Sequence, residues 1–230
     1  MKTQIILALD VNSAEEAYSI IEETHPYVDC FKVGSILYTR EGNSIVKKIK
    51  SFEKKVFLDL KFFDIPNTVK GVSEVTTSLG VDMFTIHLLG GSEMIKAALE
   101  GTKALSNTSL ILGVTILTSF DEETIQKELK INLSLEEMVL HLAKMGYECG
   151  IRGFVCSPHE TRLLKESISN DIVVVTPGIR LAKDNKDDQK RIMTPRMAKE
   201  AGADFIVVGR SILNQSDRLR TLSLIREEII

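Results

Sequence analysis

A recurring unit constrains the fold of this chain more than any other feature of its sequence. Short apolar runs, many of them rich in β-branched residues, alternate with segments of helical pattern. Eight such runs occur in 230 residues, so each unit averages about 29 residues (230 divided by 8). We predict strands at Ile5–Leu9, Cys30–Val33, Val56–Leu60, Met83–Ile86, Leu110–Ile116, Gly153–Cys156, Ile172–Val175 and Phe205–Val208.

Start and stop signals between these runs predict helices. Three serine–glutamate pairs have the spacing of a capping box, in which side chains satisfy the exposed amides of a helix start: Ser13 with Glu16, Ser134 with Glu137 and Ser157 with Glu160. The helix after Ser134 is predicted to end at Gly146, and another to begin at Thr194-Pro195 and end at Gly202.

The order of these elements predicts the fold class. Strands that are apolar on both faces and separated by helices are expected to be parallel, because each crossover lays a helix over the sheet. Eight units fit an α/β fold with a closed (β/α)8 TIM barrel, and an open doubly wound sheet is the alternative. No linker rich in Pro, Gly or Ser divides the chain, so we predict a single domain over residues 1–230.

Composition and charge exclude several classes of function. The longest apolar runs cover six or seven residues, far short of the roughly 20 that cross a bilayer, so no membrane partner is expected. The net charge of -3, from 29 basic and 32 acidic residues, gives no overall positive field for nucleic acid. Cys30, Cys149 and Cys156 lack CxxC spacing, which indicates neither disulfides nor a zinc site and favours the cytoplasm.

Polar residues cluster where the predicted strands end. In a barrel of this kind the carboxyl ends of the strands form the active site, so polar groups there are informative. The candidates are Asp10, Lys32, Asp59, Lys61, His87, Thr118, Ser119, Gly209 and Arg210. Any one of them also fits a solvated strand end or a helix cap, and a hydrogen-bonded core histidine is an alternative for His87.

The first cluster contains both acids and lysines. Asp59 and Lys61 are two apart on a strand, so their side chains should leave on the same face. Lys32 and Asp64 are expected near them. Alternating charges favour the ionised forms, which would keep Lys61 protonated as a potential acid. A structural ion-pair network predicts the same pattern.

The second cluster follows strands seven and eight and suits a phosphate. Thr176-Pro177-Gly178-Ile179-Arg180 and Gly209-Arg210 offer backbone amides and two guanidinium groups of fixed geometry. Between them, residues 181–191 are polar and almost free of apolar anchors. That segment is either a solvated surface loop or a lid that closes over the phosphate.

One segment carries a specific resemblance. Residues 59–69, DLKFFDIPNTV, resemble the DxKxxDIPNTV signature of the orotidine 5'-phosphate decarboxylase family. Further matching segments follow in order along nearly the whole chain: LALD ending at Asp10, FKVG with Lys32, LTS with Thr118, TPGIR ending at Arg180, DQKR with Gln189 and VVGRSI with Arg210. The chain departs from the family at Phe63, where relatives often have His, and at Leu181 and Ser211, where Pro is usual.

The resemblance implies a reaction and roles for the residues that match. It implies decarboxylation of orotidine 5'-monophosphate to uridine 5'-monophosphate in de novo pyrimidine biosynthesis, with no metal and no organic cofactor. Lys61 would protonate C6 of the pyrimidine, and Asp59 would lie against the substrate carboxylate and hold Lys61. Lys32 and Asp64 would complete the catalytic array.

The remaining family positions imply substrate contacts and a homodimer. Asp10 and Lys32 would reach the ribose, and Thr118 and Ser119 would face the pyrimidine. The phosphate would be bound by Arg180, Gln189, Gly209 and Arg210. Asp64 and Thr68 would enter the active site of the neighbouring subunit, so the two sites of the dimer would be shared.

Two other functions fit parts of the sequence. A metal-dependent sugar-phosphate decarboxylase or aldolase of the same superfamily shares the DxKxxD core, but those relatives place a Glu that helps to hold Mg²⁺ where this chain has Lys32. A catalytically silent barrel that only binds a nucleotide should lack part of the charged array, and every member is present here.

Overall fold

The structure is a computed structural model that describes residues 2–103, 109–181 and 193–230. Its strands are β1 (Gln4–Ala8), β2 (Cys30–Gly34), β3 (Lys55–Phe62), β4 (Met83–His87), β5 (Leu110–Val114), β6 (Gly153–Val155), β7 (Val173–Thr176) and β8 (Phe205–Val208). Every pairing is parallel, and β8 pairs with β1, so the sheet closes into a barrel. The predicted (β/α)8 fold is therefore confirmed, with strand bounds that differ by no more than two residues.

Helices cross over between the strands. In the described ranges they are α1 (Ala14–Thr24), α2 (Ser35–Glu41), α3 (Asn43–Lys50), α4 (Pro66–Ser78), α5 (Gly91–Lys103), α6 (Leu135–Cys149), α7 (Thr161–Ser167), α8 (Pro195–Glu200), α9 (Arg210–Leu213) and α10 (Arg218–Glu228). None of the described helices is both long enough and apolar enough to span a membrane.

The strand sequences are continuously apolar because both faces of the sheet are buried, one against the helices and one inside the barrel. Alternate strand positions such as Ile5 and Leu7 belong to the large cluster between the sheet and the helices. The intervening positions fill the inside of the barrel with Ile6, Ala8, Cys30, Phe57, Met83, Leu112, Val175, Phe205 and Val207. Because both faces of each strand are covered, neither face favours polar residues away from the strand ends.

Most of the predicted helix signals are confirmed. Ser13 and Thr194 cap α1 and α8 by accepting backbone N–H groups of Glu16 and Met197. Ser134 and Glu137 form a complete capping box at the start of α6. These local hydrogen bonds need only residues within one turn, which is why the sequence alone indicates them.

Two predicted helix ends are wrong. The Ser157 hydroxyl accepts the N–H of His159 in a turn, and α7 begins only at Thr161. Gly146 lies inside α6 and is buried, and the helix ends before Gly150, which has a φ of 113°. At Gly146 the absent side chain admits Leu88 and Phe154, since a Cβ there would lie 3.2 Å from both. This glycine therefore serves packing between the helix and the barrel.

A pair of helical glycines tests this packing. Gly71 in α4 is exposed and a Cβ there would meet nothing within 4 Å, whereas a Cβ at buried Gly101 in α5 would press on the backbone carbonyl of Lys70. Gly71→Ala should raise the free energy of unfolding by about 0.5–1 kcal/mol, because alanine loses less conformational entropy. Gly101→Ala should lower it by about 1–3 kcal/mol through overpacking. Urea denaturation measures both, and equal effects would contradict close packing of α4 on α5.

Candidate active site

A cavity opens at the carboxyl ends of the strands. Its floor is apolar and contains Phe57, Val114 and Val155 from the strands. Its polar lining comes from several different strand ends: Asp10, Lys32, Asp59, Lys61, Thr118, Gly178, Arg180, Gly209 and Arg210. The barrel thus brings both of the sequence-predicted clusters into one cavity, with acids and lysines after β1–β3 and arginines after β7 and β8.

Four charged side chains of the first cluster alternate in sign. The Lys61 Nζ lies 2.9 Å from Asp59 Oδ1, and the Lys32 Nζ lies 3.7 Å from Asp59 Oδ2 and 3.1 Å from Asp10 Oδ1. The Asp59 side chain is 14% exposed and the Asp10 side chain 51% exposed, so the array runs from the buried wall toward solvent. The structure thus brings Lys32, Asp59 and Lys61 together as predicted, and it adds Asp10 in the place that was expected for Asp64.

The main chain around Lys61 is irregular. Lys61 has a φ of 50°, in the left-handed region that non-glycine residues seldom adopt, and the pairing of β3 with β4 shifts between Leu58 and Phe62. The Lys61 N–H donates to the hydroxyl of Thr85 on β4 at 2.9 Å. That hydroxyl in turn donates to Asp59 Oδ1 at 3.1 Å. Sequence reasoning missed Thr85, although a threonine in an otherwise apolar buried strand was an available signal.

Asp59 is held in its ionised form. Burial is the largest single influence and raises its pKa, but the Lys32 and Lys61 ammonium groups and hydrogen bonds from Lys61 and Thr85 act together against it. The net result is a pKa below the ordinary value of 3.8. A buried carboxylate between two cations is a fixed negative charge at neutral pH, and it orients both lysines.

His87 lies at the end of β4, beside this array. Its Nδ1 accepts the N–H of Leu89 at 3.4 Å, and its ring lies 5.7 Å from the ring of Phe63. Burial and the nearby Lys61 charge lower the pKa of His87 below 6.5, so the imidazole is neutral at pH 7. These contacts fit the interpretation of His87 as a hydrogen-bonded structural histidine.

The second cluster forms the opposite wall of the cavity. Arg180 is 6% exposed, and its Nη1 donates to the Ile179 carbonyl at 3.0 Å. Gly178 has a φ of 81°, which glycine adopts without strain. Gly209 is buried against β1, where an added Cβ would lie 3.4 Å from Ala8. Arg180 and Arg210 both line the cavity, and the glycine that precedes Arg210 packs closely on β1.

The two departures from the family motif in this wall are buried. Ser211 donates its hydroxyl to the Ile179 carbonyl at 3.4 Å, and Leu181 is 7% exposed within the core. The backbones of Arg180 and Met193 pair by a hydrogen bond of 3.0 Å. Gln189 and the predicted lid at 182–191 lie outside the described residues.

Asp64, Thr68 and Ser119, like His87, are not among the residues that line the cavity. Asp64 is exposed, and its Oδ1 accepts the N–H of Ile65 at 2.6 Å. Thr68 is exposed in the first turn of α4, and Ser119 is exposed directly after Thr118. Asp64 makes no ion pair with any residue that the structure describes. Within one chain, the array is therefore Asp10, Lys32, Asp59 and Lys61.

The charged side chains of the site suit an organic anion better than a metal ion. In the ranges described, no group of three or more His, Cys, Asp or Glu side chains is arranged to hold a metal ion. Fixed cations lie at both ends of the cavity, with Lys32 and Lys61 on one side and Arg180 and Arg210 on the other. Such an arrangement suits a ligand with two separated anionic groups and an apolar or aromatic middle.

Comparisons with known proteins agree with this geometry. Residues 3–225 match the family model described as "Orotidine 5'-phosphate decarboxylase / HUMPS family". The orotidine 5'-phosphate decarboxylase of Dictyoglomus thermophilum is 43% identical over 98% of this chain and 94% of its own length. That of Streptococcus suis is 42% identical over 99% and 97%, respectively.

Solved structures give the same result. A crystal structure of orotidine 5'-phosphate decarboxylase from Lactobacillus acidophilus superposes with a TM-score of 0.87 and 38% identity, covering 100% of this chain and 99% of that one. A crystal structure of an uncharacterized conserved protein from Geobacillus kaustophilus gives a TM-score of 0.85 and 35% identity, covering 98% and 100%.

The lysines' effect on Asp59 can be measured directly. Lys32→Met should raise the pKa of Asp59, because it removes a cation that stabilises the carboxylate, and carboxyl ¹³C NMR titration measures it. The pKa of Asp59 is lower in the folded state than in the unfolded state. Ionised Asp59 therefore adds to the free energy of unfolding of the wild type at pH values above its ordinary pKa, and this contribution is lost as the pH falls through the lowered pKa. Lys48→Met, which breaks a surface pair with Glu22, is the control and should leave the Asp59 titration unchanged. An unaltered Asp59 titration in Lys32→Met would contradict the ion pair between Lys32 and Asp59.

Proposed function

The chain belongs to the orotidine 5'-phosphate decarboxylase / HUMPS family and is a carbon–carbon lyase, and we propose that it converts orotidine 5'-monophosphate to uridine 5'-monophosphate without a metal ion. One observation carries the proposal: the Lys61 ammonium, 2.9 Å from the Asp59 carboxylate, lines the same cavity as Arg180 and Arg210. A nucleotide has the matching chemistry, with a reactive pyrimidine at one end and a phosphate at the other.

The proposed chemistry needs one proton and no external electron acceptor. The bond between C6 and the carboxylate carbon breaks, carbon dioxide leaves, and the bonding electron pair stays on C6. Lys61 then gives a proton from Nζ to C6 and regains one from solvent. Because negative charge at C6 develops only beyond the ground state, a fixed ammonium stabilises the transition state more than it stabilises the substrate.

The other members of the array position the acid and surround the substrate carboxylate. Asp59 fixes Lys61 through the ion pair and would lie against the substrate carboxylate, while Lys32 neutralises part of the charge on Asp59. Asp10 and Lys32 are the proposed ribose contacts. Lys32 lies between the carboxylates of Asp10 and Asp59, so an ammonium stands where a Mg²⁺ ion would need oxygen ligands, which favours the metal-free reaction.

The opposite wall is the proposed phosphate site. Arg180 and Arg210 have guanidinium groups that suit phosphate oxygens, and Gly209 allows close approach of the backbone. Gln189 is proposed as a further phosphate ligand from its sequence position, and Thr118 and Ser119 are proposed to face the pyrimidine. Binding energy from the phosphate, which does not react, can hold the pyrimidine against Lys61.

A homodimer with shared sites is part of the proposal. Asp64 is exposed and is not among the residues that line the cavity of its own chain, and Phe63 and Ile65 on either side are 61% and 68% exposed. Exposed apolar side chains around a charged residue are typical of a protein interface. A second copy of this chain would cover Phe63 and Ile65 and receive Asp64, with Thr68 beside it, into its own array.

Turnover is the first test. The absorbance of orotidine 5'-monophosphate should fall as the wild-type chain consumes it, at the same rate with and without a chelator. Lys61→Ala should lose roughly 10²- to 10⁴-fold or more in kcat, the range of a positioned general acid, while uridine 5'-monophosphate still binds through the phosphate wall. Absorbance measures turnover, and calorimetric titration measures binding.

Each outcome bears on a separate part of the proposal. The matched control is Lys127→Ala, an exposed lysine paired with Glu123 on the surface, which should keep wild-type turnover. An inactive wild type would overturn the reaction. Activity abolished by the chelator would overturn the metal-free mechanism, and full activity in Lys61→Ala would overturn the role of the acid.

Subunit mixing tests the shared site. Lys61→Ala and Asp64→Ala should each be inactive, but a mixed dimer contains one site with both native residues. After complete exchange at equal concentrations half of the dimers are mixed, so activity should return to roughly a quarter of the wild-type value. Turnover measured before and after exchange gives the result. Absence of any recovery, with exchange verified by mass spectrometry, would show that Asp64 does not act across the interface.

A further inference from the structure

Thr85 lies opposite the break in pairing between β3 and β4. Leu58 pairs with Phe84 and Phe62 pairs with Ile86. Three residues of β3, numbers 59–61, therefore face a single residue of β4, Thr85, where a regular ladder would have one opposite one. The bulged residues include Asp59 and Lys61, so the irregularity coincides with the charged array.

The Thr85 hydroxyl makes both of the contacts that this bulge requires. It accepts the N–H of Lys61, a backbone donor turned away from the regular ladder, and it donates its own proton to Asp59 Oδ1. A hydroxyl has one donor and two acceptor sites, so a single group can make both bonds. Thr85 is completely buried, and no solvent molecule can replace it without a rearrangement of the core.

We propose that Thr85 is a positioning residue for the decarboxylation, holding the Lys61 backbone in its left-handed conformation and fixing the Asp59 carboxylate that pairs with the Lys61 ammonium. This inference rests on the proposed function. Thr85 is not among the residues that line the cavity, so it acts through Lys61 and Asp59. A lysine keeps a left-handed backbone conformation only where surrounding contacts hold it there. The hydrogen bond from the Lys61 N–H to the Thr85 hydroxyl is one such contact.

The groups around Asp59 identify what the loss of this hydroxyl would change. Lys32 from β2 and Lys61 from β3 face the carboxylate as cations, Thr85 from β4 faces it as a neutral donor, and Asp10 acts at a distance through Lys32. His87 on β4 is neutral at pH 7 and adds no charge there. Without the hydroxyl, Asp59 keeps both cations but loses a hydrogen bond that favours its ionised form, so its pKa should rise.

Thr85→Val is the direct test, because valine has nearly the shape of threonine and lacks the hydroxyl. We expect kcat to fall about 10- to 100-fold, the loss that follows removal of a hydrogen bond to a charged group. KM should change by less than about threefold, because the phosphate wall is intact. The acid limb of the kcat profile should move to higher pH. Thr24→Val is the matched control: Thr24 is a buried threonine of α1 whose hydroxyl donates to the Ile20 carbonyl, and its replacement should leave kcat, KM and the acid limb unchanged.

Conservative variants separate positioning from packing. Thr85→Ser keeps the hydroxyl and should retain kcat within about threefold of wild type, whereas Thr85→Cys has a similar size but only a weak donor and should show the loss. If Thr85→Val fails to fold, as judged by circular dichroism, the serine and cysteine variants decide the question. Equal kcat in these two folded variants would overturn the proposal.

The remaining outcomes are also decisive. Wild-type kcat and an unmoved acid limb in folded Thr85→Val would overturn the inference and leave the proposed function standing. A change confined to KM would also overturn it, since misplacing the acid affects the chemical step. A wild-type chain that does not turn over orotidine 5'-monophosphate would instead overturn the proposed function itself, on which the inference rests.

Discussion

The site depends on one buried carboxylate held between two ammonium groups. Asp59 is nearly enclosed, and an unpaired carboxylate in such a place would be strongly unfavourable, whereas Lys61 at 2.9 Å and Lys32 at 3.7 Å offset that cost. The same arrangement fixes both lysines, because each has an anion that limits its rotamers. A barrel suits this purpose, since neighbouring strands hold Lys32 and Asp59 on rigid, hydrogen-bonded backbones.

The regular strand pairing is interrupted next to Lys61, the proposed acid. A regular β3–β4 ladder would give each residue of β3 its own backbone partner, and Lys61 would then follow the ordinary direction of the strand. Instead, the pairing shifts, Lys61 takes a φ of 50°, and its N–H bonds the Thr85 side chain. Local irregularity at a functional position requires support from the surrounding structure, and the fully buried Thr85 hydroxyl gives that support.

The limits of sequence reasoning follow from the range of each interaction. Apolar periodicity predicts the eight strands because each depends on burial of its own residues, and strand ends locate Asp59, Lys61 and Arg180 because parallel strands share a direction. The Ser134 capping box is equally local. The roles of Gly146 and Thr85 do not follow from local sequence, since they depend on packing against Leu88 and on a register shift against another strand; the threonine in an apolar strand marks position 85 but not its contacts. The similar serine–glutamate pair at Ser157 does not begin a helix. Ser157 is buried and its hydroxyl accepts the N–H of His159 in a turn, so the helix begins later.

The distribution of charge connects this architecture to the proposed reaction. An overall charge of -3 gives the molecule little long-range field, so selectivity for a nucleotide must come from fixed groups inside the cavity. Arg180 and Arg210 line the wall that would bind a phosphate in substrate and product alike, which aids binding but not the chemical step. In the proposed reaction the Lys61 ammonium differs, because the negative charge that would form at C6 exists only once the bond to carbon dioxide begins to break. The proposed acid therefore has to be held in place, and the contacts of Asp59 with the Lys61 ammonium and of Thr85 with the Lys61 N–H hold it at the β3 end of the cavity.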